Sequence, residues 1–168
     1  MSDPVFSAFL RTQRQNGLAL AAASDLLQLQ PEPGEEPRRY IAHFSCEGLV
    51  RLPDGKIARA NSFLVGIQFP TDYLRTVDPR VVATILQPLN ACWHPNVGED
   101  GRLCLGHLPP GTGLTEILFQ IWDVLTYNRY AASDGLQPEA MEYARQNRHL
   151  FPIDRRPLKR VVVKGGAS

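Results

Sequence analysis

His94-Pro95-Asn96-Val97-Gly98-Glu99-Asp100-Gly101-Arg102-Leu103-Cys104-Leu105-Gly106-His107-Leu108 gathers a thiol, two imidazoles and a side-chain amide within fifteen residues. Gly98 and Gly101 flank Glu99-Asp100, which predicts a tight loop, because glycine enters positive φ without steric cost. Such a loop doubles the chain back and makes neighbours of Asn96 and Cys104, eight positions apart. A carboxamide donor beside a thiolate can stabilise the oxyanion formed when the thiolate, or an amine, attacks an acyl carbon.

Working outward, Phe63-Leu64-Val65-Gly66-Ile67-Gln68-Phe69-Pro70-Thr71-Asp72-Tyr73 precedes the stretch, and Asp134-Gly135-Leu136-Gln137-Pro138-Glu139 follows it. His-Pro-Asn with a Leu-Cys-Leu ten residues after the His resembles the active-site signature of ubiquitin-conjugating enzymes. The upstream run is similar to that family's second strand and Phe-Pro-x-x-Tyr turn, and the downstream run to its Asp-Pro-Leu segment. The three segments stand in the family's order over residues 63 to 139. The resemblance implies an α+β, two-layer fold: a four-stranded antiparallel meander, an N-terminal helix, a helix across one face and C-terminal helices. It implies Cys104 as the acceptor of a ubiquitin-like protein, passed on by an activating enzyme and delivered to lysines of target proteins. It assigns Asn96 to the oxyanion or to loop order, and His94 to fixing the loop. Asp134 becomes the acid at the mouth of the site that orients the incoming amine.

Composition agrees with one globular domain. The chain has 168 residues, 43% of them hydrophobic, enough for a real core. A formal net charge of +1 excludes nucleic-acid binding by bulk electrostatics. No apolar run approaches a membrane span, and Met1-Ser2-Asp3-Pro4 does not begin a signal peptide. Cys46, Cys92 and Cys104 are an odd set without disulfide-framework spacing, which points to a reducing, cytoplasmic setting.

Local patterns fill in the rest. Asp3-Pro4 is a helix start, with Val5, Phe6, Phe9 and Leu10 at helical spacing and an Ala-rich continuation to Leu29. Arg11 and Arg14 lie opposite, and the resemblance makes them candidate contacts for the activating enzyme. Tyr40 to Val50, Phe63 to Phe69 and Val81 to Leu86 read as strands, with Pro53-Asp54-Gly55 as a hairpin turn. Alternation places Phe63, Val65 and Ile67 on one face. Leu114 to Tyr127 carries the apolar stripe Ile117, Leu118, Ile121, Trp122 and Leu125, as a helix packed across a sheet needs. Pro138 opens another helix. Residues 1–152 are expected to form the catalytic domain. Residues 153–168, with Arg155, Arg156, Lys159, Arg160 and Lys164 against Asp154, read as a solvated basic tail.

Other chemistry is open to the same residues. Cys92, His94, Cys104 and His107 offer a Cys-x-His and a Cys-x-x-His pair, which zinc accepts in a closed site. Cys104 with His94 or His107 could instead form a cysteine hydrolase dyad, and a fold that has lost transfer would serve as a non-catalytic binding module. The transfer reading needs neither metal nor organic cofactor.

The chain also departs from the family pattern. Leu74-Arg75-Thr76-Val77-Asp78-Pro79 replaces a proline-rich segment, and Gly106 stands where the family commonly has Asp. Pro109-Pro110-Gly111-Thr112-Gly113 replaces Trp-Ser-Pro. The first two of these fall where the resemblance implies that ring-type ligases dock, and together the departures point to a divergent, bacterial branch.

Overall fold

A computed structural model describes residues 3–130 and 135–162. Helix α1 (Pro4–Ala22) begins as its sequence requires, with the Asp3 carboxylate accepting the Val5 N–H at 2.9 Å and Pro4 in the first turn. Phe6, Leu10, Gln13, Gly17 and Leu20 form its buried face. Val5, grouped with that face by spacing, is instead 68% exposed. Gly17 does not end the helix. A Cβ there would lie 2.6 Å from Leu114 Cδ2 and 2.9 Å from Leu29 Cδ2, so the missing side chain lets α1 pack closely against its neighbours.

The Ala-rich continuation is helical only as far as Ala22, not to Leu29. After Ala23 the chain turns, and β1 (Leu27–Pro31) starts the sheet. Strand β2 (Arg39–Phe44) pairs antiparallel with it, Leu27 opposite Phe44 and Pro31 opposite Tyr40. The predicted strand Tyr40 to Val50 breaks in two at Ser45–Glu47. Its second part, β3 (Gly48–Arg51), forms a separate hairpin with β4 (Ile57–Ala60) around Pro53-Asp54-Gly55. Strand β5 (Phe63–Gln68) returns beside β2, with Phe44 opposite Phe63. Strand β6 (Ala83–Gln87) follows, pairing Val65 with Ile85 after a register shift at Leu64. The four-stranded meander is thus β1-β2-β5-β6, extended at its edge by the two-residue β7 (Arg102–Leu103).

One face of the sheet holds the core. Phe63, Val65 and Ile67 are all buried, as alternation predicts. Helix α2 (Leu114–Leu125) lays its buried stripe of Ile117, Leu118, Ile121, Trp122 and Leu125 into the same core cluster. The first turn of α2 has no side-chain cap of its own; Gln13 of α1 supplies one, its Oε1 accepting the Leu114 N–H at 2.8 Å. A smaller cluster of Leu49, Trp93, Tyr127, Ala140 and Ile153 joins the β3–β4 hairpin to helix α3 (Pro138–Gln146).

The segment after Phe151 is not solvated throughout. Ile153, Asp154 and Leu158 are buried. Asp154 accepts the Glu47 N–H at 2.9 Å and two bonds from the Arg156 guanidinium, at 3.1 and 2.8 Å. Burial raises the proton affinity of this carboxyl, but the bonds from Arg156 and the Glu47 N–H outweigh it and bring the pKa down to about 2. Further on, Arg160 N–H donates to Ala23 O at 2.9 Å, and its guanidinium reaches Ala22 O at the end of α1.

Candidate active site

Strand β7 ends one residue short of Cys104, so the last register of the sheet places the thiol at an edge. The loop before it forms as its glycines demand. Gly101 N–H donates to Gly98 O at 2.9 Å and Gly98 N–H to Arg102 O at 2.8 Å. Gly101 has φ +84°, and a Cβ there would lie 2.8 Å from the Ile85 carbonyl. Only glycine fits.

Past the loop, Val97 and Leu103 bridge, and the backbone of Cys104 meets Asn96. Cys104 N–H donates to Asn96 O at 2.8 Å, while Asn96 Nδ2 donates to Cys104 O at 3.3 Å. Asn96 is 8% exposed, and the Cys104 residue is partly exposed. The structure therefore brings these two predicted residues together.

His94 lies behind them, 1% exposed. Its Nδ1 accepts the Asn96 N–H at 2.8 Å and its Nε2 faces the Arg129 carbonyl at 3.2 Å. An Nδ1 that accepts and an Nε2 that donates define one neutral tautomer. Burial, above all, lowers its pKa to about 3. The ring packs 4.3 Å from that of Tyr127, whose hydroxyl donates to Trp93 O. With both nitrogens engaged, His94 fixes the loop and has no free nitrogen to act as a base.

Two further ties hold the site from outside. Tyr73 of the Phe-Pro-x-x-Tyr turn donates its hydroxyl to Thr112 O at 2.7 Å, anchoring the loop that follows Cys104. Gln137 Nε2 donates to Cys92 O at 3.0 Å and Val97 O at 2.6 Å, and Leu136 N–H donates to Pro95 O at 2.6 Å. The start of α3 is thereby tied to the active-site loop. Asp134, the expected gate acid, falls outside the described residues.

The metal reading fails on placement. Among the described residues no three His, Cys, Asp or Glu side chains could hold a metal ion together. Burial pushes the Cys92 thiol up to about 12. The hydrolase dyad lacks its hydrogen bond: neither His94 nor the exposed His107 bonds the Cys104 thiol. Neither of two cavities, of about 570 and 340 Å³, includes Cys104 in its lining. The larger lies on the open face of the sheet and the smaller between Arg51, Trp93 and Gln137.

On α1, Arg11 bonds Glu36 and its side chain is 48% exposed. Arg14 is half-buried near Tyr40, whose hydroxyl burial pushes up to about 12. No helix of the described residues is long and apolar enough to cross a membrane.

Two residues whose side chains tie the site together escaped the sequence. Gln137 lies beside Pro138 at the opening of α3, where nothing local marks a glutamine as a loop clamp. Arg129 sits twenty-five positions beyond Cys104, four past the end of α2; only the fold brings it back.

No protein-family model and no curated protein matches the sequence. Solved structures do. A Toxoplasma gondii ubiquitin-conjugating enzyme E2 domain superposes with a TM-score of 0.50 and 21% identity, covering 84% of this chain and 92% of that one. Human ubiquitin-conjugating enzyme E2 G1 gives 0.49 and 19%, over 74% of this chain and 98% of that one. With its N-terminal helix, antiparallel meander and crossing helix, this chain is a protein of ubiquitin-conjugating-enzyme-like fold.

Proposed function

We propose that this chain carries a ubiquitin-like protein as a thioester on Cys104 and transfers it to an amine of a target protein. The observation that carries this is the two-way hydrogen bonding between Asn96 and the Cys104 peptide, which sets a carboxamide beside a partly exposed thiol. A thiol outside both cavities suits a donor that is itself a protein with an extended terminus, rather than an enclosed small molecule.

In the first step the Cys104 thiolate attacks the thioester carbon held on an activating enzyme, whose own cysteine leaves as thiolate. In the second a target amine attacks, Cys104 leaves as thiolate, and the amine loses its proton. A thioester is reactive toward a free amine, so positioning contributes most of the catalysis. Asn96 supplies a donor to the oxyanion, and His94 keeps Asn96 in place. Asp134 orients the amine and favours its deprotonation. No metal or organic cofactor takes part; ATP is consumed by the activating enzyme.

Arg11, exposed on α1, is a docking contact for that enzyme, and Arg14 supports the same surface from below. A reducing cytoplasm keeps Cys104 free. The test is charging: with the cognate activating enzyme, ubiquitin-like protein and ATP, a thiol-sensitive adduct should appear on non-reducing gels. A binding module that has lost transfer would stay uncharged.

A further inference from the structure

The cationic groups near Cys104 differ in how they are held. Leu105 N–H reaches Pro79 O at 3.5 Å, which brings the loop bearing Arg80 alongside the thiol. Arg80, however, is fixed by Asp78 at two points, Nε to Oδ1 and Nη2 to Oδ2, both 3.0 Å. Arg102 is likewise paired with Asp100, at 2.9 Å. Arg129 forms no ion pair among the described residues.

Arg129, four residues past the end of α2, touches the site twice. Its backbone N–H donates to Asp123 O at 3.0 Å, and its carbonyl receives His94 Nε2. Its side chain turns back over the loop, and Nη2 donates to Leu105 O at 2.5 Å. Gly106, next in the chain, has φ +75°, a conformation that favours glycine, and a Cβ there would meet Arg129 Nη2 at 3.7 Å, an ordinary contact.

A guanidinium bonded to Leu105 O stands beside the backbone of the residue that follows Cys104. A guanidinium carries five N–H donors in a planar fork. One is engaged by Leu105 O; among the described residues the others make no further hydrogen bond, and the Asp123 carboxylate lies within electrostatic reach of the guanidinium. Asn96, by contrast, already directs an N–H at the carbonyl of Cys104. We infer that Arg129 is a catalytic residue, donating from its free N–H groups to the oxyanion that develops when the Cys104 acyl carbon is attacked.

This rests on the thioester reading and names a second donor for it. During discharge the amine nitrogen bonds to the acyl carbon and the carbonyl electrons move onto oxygen, where Arg129 meets the charge. The C–S bond then breaks, Cys104 leaves as thiolate, and solvent takes the amine proton. A cation held in place before reaction needs little reorganisation as the charge forms.

The test uses the whole chain and a glycine-ended peptide thioester of a small mercaptan, which acylates Cys104 without an activating enzyme. Intact mass follows the acyl group, and free lysine discharges it. Arg129→Ala and Arg129→Gln should discharge about 10²-fold more slowly, with the lysine concentration at half-saturation unchanged. Arg129→Lys, which keeps the charge, should stay within about tenfold of wild type. The Gln variant decides the role, because it keeps a donor for Leu105 O while losing the cation. Discharge by Arg129→Gln at the wild-type rate would reduce Arg129 to a stitch between α2 and the loop, overturning the inference while the thioester reading stands. Failure of wild type to acylate at Cys104, with the peptide on another residue or none, overturns both. If Arg129→Ala does not fold, the Gln and Lys pair still separates a catalytic cation from a structural stitch.

Discussion

Asn96 and Cys104 are joined in both directions, N–H to carbonyl at 2.8 Å and side-chain amide to carbonyl at 3.3 Å. The side chain that should stabilise the oxyanion is therefore positioned by the backbone of the residue bearing the acyl group. Asn96→Ala should leave thioester formation largely intact, since the thiol is untouched. Single-turnover discharge onto free lysine should fall by about 10²–10³ at every pH. Discharge within about threefold of wild type would remove Asn96 from the transfer step, as donor and as loop support alike.

His94 sets an acid limit on stability. Its folded pKa, lowered by burial to about 3, lies below the 6.5 of an exposed imidazole. Between those values the unfolded chain binds a proton that the folded chain does not, so stability falls as pH drops below 6.5. From about pH 6.5 to about pH 5 the loss is about 2 kcal/mol. Denaturant melts across this range should show that slope in wild type. His94→Gln should be less stable near neutrality and lack the His94 share of the slope. An unchanged slope would mean that another group governs it.

Gln137 links α3 to the loop through the carbonyls of Cys92 and Val97. Gln137→Ala leaves both without this donor, at a cost of about 1–3 kcal/mol. Because Asp134 lies three residues upstream, discharge should slow in this variant while charging persists. Equal loss of charging and discharge would make Gln137 a general support of the loop.

Asp134 itself is tested by pH. Asp134→Ala should charge normally and discharge slowly near neutrality, with part of the deficit recovered as rising pH deprotonates more lysine. A wild-type rate throughout would leave Asp134 a turn residue before α3.

What the sequence revealed, and what it did not, divides by range. The loop from His94 to Cys104, the α2 stripe and the hairpin at Pro53-Asp54-Gly55 depend on glycine spacing and local periodicity, and all three are legible. The end of α1 is not, because its last carbonyls are met by Arg160, 138 positions away from Ala22. The break between β2 and β3 is similarly remote: Ser45 N–H bonds Leu26 O, and Glu47 N–H bonds Asp154. Composition made residues 153–168 a solvated tail, yet among the described residues of that stretch Asp154 is buried and bonded to Glu47 and Arg156. Arg129 carried no local mark, since its ties to the loop, through Leu105 O and the His94 ring, span 24 and 35 positions.

The central claim is that Cys104 accepts the acyl group, and intact-mass analysis of the charging reaction tests it most directly. Wild type should gain the mass of the ubiquitin-like protein less one water, and lose it on treatment with thiol. Cys46→Ser and Cys92→Ser should do the same. Cys104→Ser should yield a thiol-resistant oxyester at the serine or no adduct at all. A thiol-sensitive adduct of the same mass on Cys104→Ser would contradict the claim.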